Sequence, residues 1–340
     1  PLVNIYGNAN ATWEKSKKLN LGVDMPLLES MDITIDYFKE DRSGIFMQRS
    51  SVPSTMGVTG MLPYANIGSV KNKGVDMSVA YSKVIGKDWV LRLNGSLTYA
   101  HNEITEIDEP VNVEPYSSRI GHPINSIMGY VSDGLFTSQE EIDRSPKQSF
   151  GNYTVGDIKY KDLNNDKVIN EFDRTVIGGD KPYSYFGIDL GFKWRGLDFS
   201  MFWQGAYNRD LYLQDWTLLE GFQANGRYYG QAYENMLGRW TPETAESATF
   251  PRLTAGGNEY NRGNGWNSSF WLRSGNFIRL KDISLGYNLP DSFCNNYLGG
   301  LRLKIFVNGQ NLFTKSACDL VDPEVGFTSY PLQRCISTGI

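Results

Sequence analysis

The sequence predicts an all-β chain that crosses a membrane as part of an antiparallel β-barrel with long extracellular loops. Three observations indicate this class: apolar and polar residues alternate in nine separate runs, short and long connections between the runs alternate, and aromatic rings end several of the apolar faces. Alternation alone also fits a soluble sheet packed on a protein core. A secreted β-sandwich that binds glycans on its loops therefore remains the competing interpretation.

Composition supports strands and turns and excludes several other classes. The chain has 340 residues, of which 13% are aromatic and 35 are Gly, with 33 basic against 38 acidic side chains and a net charge of -5. That balance gives no basic surface for nucleic acid. The longest uncharged stretch, residues 50–70, is interrupted by Ser, Pro and Gly, so it cannot form a spanning helix. The three cysteines match no zinc spacing.

The alternating runs define the strands in chain order, because successive side chains of a strand point to opposite faces. Leu91 and Leu93, for example, oppose Arg92 and Asn94. The nine runs are residues 19–25, 31–37, 75–81, 89–99, 186–194, 197–203, 277–289, 301–307 and 336–340. Arg279 and Lys281 break the alternation of the seventh run, which predicts a β-bulge or a strand end there.

The connections between these runs are short and long in turn. The short ones are residues 27–30, 84–88, 195–196 and 290–300, and the long ones are residues 41–71, 101–182, 207–276 and 312–333. Transmembrane barrels have tight periplasmic turns and long extracellular loops, whereas soluble sandwiches have short connections at both ends. Bacterial single-chain barrels have even strand numbers. Nine runs therefore predict at least one further strand before residue 1.

Several phrases, in this order, resemble the C-terminal part of SusC/RagA-type TonB-dependent outer-membrane transporters. They are TWEK at 12–15, NIGSVKNKG at 66–74, HNEIT at 101–105, GDIKYKDLNNDKVINEFDRTVIG at 156–178, FIRLKDISLGYNLP at 277–290, NGQNLFT at 308–314, DPE at 322–324 and YPLQR at 330–334. The chain departs from the family pattern at its end, since it stops at Ile340 without the usual terminal aromatic residue.

The resemblance implies a plugged barrel of about 22 strands in the bacterial outer membrane. Residues 1–340 would form the C-terminal part of that barrel, with the plug and the first strands upstream and absent from this chain. The implied function is active import of glycan oligosaccharides, energised through TonB and assisted by a SusD-like lipoprotein lid. Import of peptides by the same class of transporter is the alternative.

One segment of the loop at 101–182 resembles the EF-hand calcium loop. Residues 162–173 read DLNNDKVINEFD, and calcium requires six to eight oxygen ligands that alternate residues of a tight loop can supply. The candidate ligands are Asp162, Asn164, Asp166, Val168 through its carbonyl, Asn170 and Asp173. Lys167 replaces the usual Gly and Asp173 the usual Glu, so a loop folded by hydrogen bonds to its own backbone is the alternative.

The loop at 207–276 is the candidate for substrate contact because it combines aromatic rings with many Asn, Gln and Gly residues. Flat rings and amide groups suit stacking on sugars or holding a peptide. The candidate substrate-binding residues are Trp216, Tyr228, Tyr229 and Trp266. The alternative is that these rings pack the loop against its neighbours.

No arrangement in the sequence predicts an enzyme. His101 and His122 lie outside any nucleophile or metalloprotease motif. The adjacent carboxylates Glu140 and Glu141 fit the start of a helix, where they interact with the helix dipole. Apart from structural calcium, no cofactor is expected.

Overall fold

The computed structural model describes residues 7–52, 55, 62–110, 112–213, 234–253, 267–325 and 330–340. Strands dominate this part of the chain, with only two short α-helices among the described residues. The elements are β1 (Lys15–Leu28), β2 (Met31–Gln48), β3 (Tyr64–Ile85), β4 (Trp89–Glu106), β5 (Ser126–Tyr130), β6 (Ser132–Leu135), α1 (Gln139–Arg144), β7 (Lys147–Gln148), β8 (Ile158–Tyr160), β9 (Val168–Ile169), β10 (Arg174–Gly179), β11 (Ser184–Trp194), β12 (Leu197–Tyr207), β13 (Asp210–Tyr212), β14 (Leu272–Ser274), β15 (Phe277–Asn288), α2 (Asp291–Tyr297), β16 (Lys304–Ser316) and β17 (Cys335–Gly339).

Nine of these strands form one antiparallel sheet, which confirms the predicted all-β class. The order is β1-β2-β3-β4-β11-β12-β15-β16-β17, so each strand pairs with the next sheet strand along the chain. These nine strands correspond to the nine alternating runs. The remaining strands of the described residues form two-stranded sheets within the long connections. Neither helix in the described part of the chain is long and apolar enough to cross a membrane.

One face of the sheet is apolar and remains uncovered. Leu93, Leu190, Met201 and Ile283 form a row across four neighbouring strands. On the first strand Leu21 keeps 60% of its surface exposed. A contiguous apolar face of this extent marks contact with a membrane or a partner. The face carries no second sheet among the described residues, as a β-sandwich would require.

Aromatic rings mark both ends of the apolar face, as the sequence predicts. Trp89 and Trp194 stack at one end with ring centroids 5.3 Å apart. Tyr99, also on β4, is exposed at the other end of the apolar face. At about 3.3 Å per residue and a tilt of about 40°, the ten steps along the chain from Trp89 to Tyr99 rise about 25 Å along the barrel axis. This height equals that of the apolar band of an outer-membrane barrel.

The strands extend further than predicted on the side of the long connections. The sequence placed a connection at 41–71, but β2 continues to Gln48 and β3 begins at Tyr64. Charged residues interrupt the apolar alternation there. The backbone pairing between β2 and β3 continues there nonetheless. Above the lipid, charged side chains on a strand are in water or form ion pairs, as Lys39 and Asp41 of β2 do at 3.3 Å.

The predicted bulge lies at Lys281 in β15. The register shifts between Leu280 and Asp282 against both neighbouring strands, so Lys281 has no paired residue in either. Because a bulge inserts one extra residue, it reverses the alternation. Arg279 therefore shares the polar face with Asp282, while Ile283 returns to the apolar face.

Three of the four long connections pack together into one cap, on the side of the sheet where Tyr99 ends the apolar face. The β4–β11, β12–β15 and β16–β17 connections all contribute buried side chains to one cluster. Its buried members are Tyr130, Phe150, Ile158, Tyr160, Ile169, Leu211, Leu213, Phe250, Trp271 and Cys318. The connections thus form a folded unit with its own core.

A charge placed on the apolar face should destabilise the barrel. Leu93 lies near the middle of the band, where Arg facing lipid costs about 2–4 kcal/mol. We expect Leu93→Arg in the full-length protein to lower the free energy of folding into lipid vesicles by that amount, measured by urea titration. Asn94→Arg, one residue away on the polar face, is the control. Equal losses for the two variants would contradict the assignment of the faces.

Candidate functional site

A polar cavity of about 450 Å³ lies on the polar face of the sheet, close to the cap. Alternation places Thr98, Tyr185 and Gln204 on this face, opposite the apolar side chains of the same strands. Arg209 and Glu324 also line the cavity. The lining therefore combines a hydroxyl group, an aromatic ring, an amide and charged groups, which is a set suited to a polar ligand.

A buried ion network adjoins this cavity, which Glu324 lines. Arg279 is 2% exposed and donates hydrogen bonds to the Thr314 hydroxyl at 2.8 Å and to Asp322 at 2.7 Å. It also pairs with Glu324, which Lys281 approaches at 3.2 Å. Every donor and acceptor here belongs either to the sheet or to the segment 317–325. The network therefore fastens that segment of the cap to the sheet.

The network fixes the ionisation of Asp322. Burial alone would raise its pKa, but the Glu324 backbone N–H and the Arg279 guanidinium outweigh burial and hold the pKa below its ordinary value. Asp322 is therefore charged at neutral pH. The side-chain amide of Gln204 donates to Glu324, so this second carboxylate also has partners on the sheet.

The sequence flagged the two phrases that form the network but did not pair them. Arg279 and Lys281 are unexpected charges in an apolar run, and the DPE phrase at 322–324 lies in a different connection. The charges of Arg279 and Lys281 were the signal for this network in the sequence. Their pairing with the DPE phrase depends on the fold, because β15 and β16 bring the two phrases to the same end of the sheet.

The phrase that begins at Gly156 forms a second fixed point within the cap. Gly156 has φ of +89°, and a Cβ built there would lie 2.6 Å from the Trp240 ring, so only Gly fits. The fully buried Asp157 forms an ion pair with Arg252 at 2.9 Å. These contacts fasten the 234–253 segment to the β4–β11 connection.

The segment 162–173 folds as a tight loop closed by its own side chains. Asp162 accepts hydrogen bonds from the backbone N–H groups of Asn165 and Lys167, and Asp173 accepts from Leu163 and Asn170. Lys167 has φ of +68°, so the chain makes the sharp turn without Gly. Among the described residues, no three His, Cys, Asp or Glu side chains are grouped so as to hold a metal ion.

The other residues considered in the sequence have structural partners or lie elsewhere. Glu140 and Glu141 occupy the first turn of α1, as predicted, and Glu141 pairs with Lys159 at 2.8 Å. His101 packs edge-on against Tyr183. The four predicted substrate-binding aromatic residues lie outside the described residues; they are Trp216, Tyr228, Tyr229 and Trp266.

Removal of Arg279 should release the 317–325 segment from the sheet. Taking one partner from a buried ion pair costs about 3–5 kcal/mol, because it leaves uncompensated charge. We expect Arg279→Gln in the full-length protein to accelerate amide hydrogen exchange in 317–325 at least about tenfold, with smaller effects in β4 and β11.

Lys281→Gln is the control for this variant, since the 28% exposed Lys281 side chain can be lost while Arg279 keeps both of its carboxylate partners. Its effect should stay within about 1 kcal/mol. Unchanged exchange in 317–325 of Arg279→Gln would show that the network does not hold the segment.

Comparison with known proteins identifies this architecture. The family described as TonB dependent receptor-like, beta-barrel matches residues 1–312. The chain is 25% identical to the TonB-dependent receptor P3 of Formosa agariphila, covering 97% of this chain and 32% of that protein. It is 23% identical to the TonB-dependent receptor SusC of Bacteroides thetaiotaomicron, covering 97% and 32%. The chain thus spans about one third of the length of these relatives.

Solved structures show the same fold. A chain of the RagAB peptide transporter superposes with a TM-score of 0.68 at 22% identity, over 98% of this chain and 36% of that one. The RagAB peptide importer in its open-open state gives 0.67. Family members are receptors and not enzymes, which confirms the prediction that this chain is not an enzyme. The chain belongs to the TonB-dependent receptor-like β-barrel family and lies in the bacterial outer membrane.

Proposed function

We propose that the protein containing this chain imports oligosaccharides across the outer membrane, with energy supplied through TonB. The observation that carries the proposal is the polar cavity on the lumenal side of the barrel wall, close to the cap. Its hydroxyl, amide and aromatic groups suit sugars, which present both hydroxyl groups and flat apolar faces. Kinship with SusC and with other TonB-dependent receptors supports active uptake.

Import of peptides is the second candidate within the same class. It is favoured by the fold shared with the RagAB peptide transporter. The cavity suits this cargo too, because Thr98 and Gln204 could equally bond to peptide groups. The aromatic residues Trp216, Tyr228, Tyr229 and Trp266 remain predicted contacts for either cargo.

We further propose that a SusD-like lipoprotein covers the extracellular opening. The packed core of the cap supports this, because a folded rim offers a partner a fixed surface to close against. The two-part name of the RagAB assembly supports a partner as well. Contact with TonB would be made by a segment outside this chain.

The proposal is tested by what the full-length protein carries from its own membrane. We expect the protein, extracted in mild detergent, to retain a surface lipoprotein in stoichiometric amount together with bound oligosaccharide, both identified by mass spectrometry. Bound peptide instead of sugar would select the second candidate. Recovery from the outer membrane with neither partner nor ligand would contradict the lidded importer.

Calcium binding by residues 162–173 stays a prediction. The positive φ of Lys167 shows that the sharp turn of an EF-hand loop forms here without Gly. The hydrogen bonds that Asp162 and Asp173 accept from backbone N–H groups support the alternative, a loop closed by its own side chains. Calorimetric titration of the full-length protein should detect one calcium site that Asp166→Ala abolishes. Asp143→Ala, an acidic change in the nearby helix α1, is the control. Absence of any calcium heat in the wild type would end this hypothesis.

A further inference from the structure

Arg209 lies at the lumenal cavity beside the ion network of Arg279, Lys281, Asp322 and Glu324. Arg279 pairs with both carboxylates, and Lys281 shares Glu324. Within the described residues no carboxylate forms an ion pair with Arg209. Asp180, which also lines the cavity, pairs with Lys181 at 3.4 Å.

The guanidinium of Arg209 is only partly satisfied. Its Nη1 donates to the Pro323 carbonyl, while its Nε is buried and has no hydrogen-bond partner among the described residues. Burying such a donor without a partner costs free energy, and the cost is larger for a charged group. The buried Nε is closed to a ligand, whereas Nη2 makes no hydrogen bond among the described residues and is the donor left for an anionic acceptor.

The position of Arg209 makes that donor accessible to a ligand. It lines both the 450 Å³ cavity and a neighbouring cavity of about 360 Å³, and Lys181 lines both as well. The backbone on either side is fixed, since its N–H donates to Asn276 at 3.3 Å and its carbonyl accepts from Gly275 at 2.7 Å. The side chain is thus presented at a defined place on the lumenal wall.

We propose that Arg209 is the anchor for a carboxylate group on the cargo. A guanidinium forms strong, charge-assisted hydrogen bonds with a carboxylate, and Arg209 has no ion-pair partner of its own among the described residues. A carboxylate can come from a uronic acid unit of an oligosaccharide or from a peptide. This inference rests on the proposed import function, of which it narrows the substrate class to acidic cargo.

The test uses two pairs of probes that differ only in charge. Trigalacturonic acid is compared with its methyl ester, and tetraalanine with its C-terminal amide, by equilibrium dialysis against the detergent-purified full-length protein. A charged hydrogen-bonded contact corresponds to about a tenfold gain in affinity. We expect at least one acid to bind about tenfold more tightly than its neutral twin, and the pair that responds identifies sugar or peptide.

Variants separate the role of Arg209 from a general effect. Arg209→Gln should bring the acid-to-neutral ratio close to one, and Arg209→Lys should keep part of it, because Lys retains the charge without the planar fork. Arg42→Gln, on β2 and paired with Glu40 at 3.0 Å, is the control and should leave the ratio unchanged. Barrel folding of each variant is checked by its heat-dependent mobility on gels.

Three results would overturn the anchor: equal binding of acid and neutral twins, a ratio that survives in Arg209→Gln, or no binding of either acid at millimolar concentration. The co-purified ligand tests the import proposal separately. Neutral oligosaccharide bound equally by wild type and Arg209→Gln would leave import standing while this inference fails. Wild-type protein without any bound ligand or partner would remove both.

Discussion

Backbone hydrogen bonding in the absence of water is the constraint on which the rest of this structure depends. Lipid offers no partner to a peptide N–H or carbonyl group, so a spanning strand must find both on its neighbours. Pairing of each sheet strand with the next along the chain meets this requirement with short turns. The same constraint leaves one face of every strand to lipid, which explains why Leu21 and Leu93 are uncovered in a well-paired sheet.

Above the lipid the constraint changes from backbone pairing to the burial of loops. Three of the four long connections bury aromatic and aliphatic side chains in a common core, and the Arg279 network joins that core to the barrel wall. The bulge at Lys281 lies where β15 passes from the lipid-facing part of the sheet to the part that contacts the cap. One extra residue lets β15 present Arg279 to the lumenal side and still return Ile283 and Leu285 to the lipid.

The alternation of β4 and β11 could be predicted from sequence because lipid acts on every second side chain, and the break at Arg279 was enough to predict the bulge. The ends of β2 and β3 were placed wrongly, since charged residues above the membrane keep strand pairing but lose the apolar signal. The ion network could not be predicted from the sequence for another reason. Arg279 and Glu324 are 45 residues apart, and their contact depends on how the β16–β17 connection folds back onto the sheet.

Lipid lies on one face of each spanning strand and the lumen on the other. The most direct measurement is a nitroxide scan of residues 89–99 in the full-length protein reconstituted in vesicles, recording the accessibility of each label to oxygen and to a water-soluble nickel reagent. We predict a period of two, with labels at 91, 93 and 97 accessible to oxygen and labels at 92, 94 and 96 not. Accessibility without this alternation, or nickel contact at 93, would contradict a membrane-spanning strand.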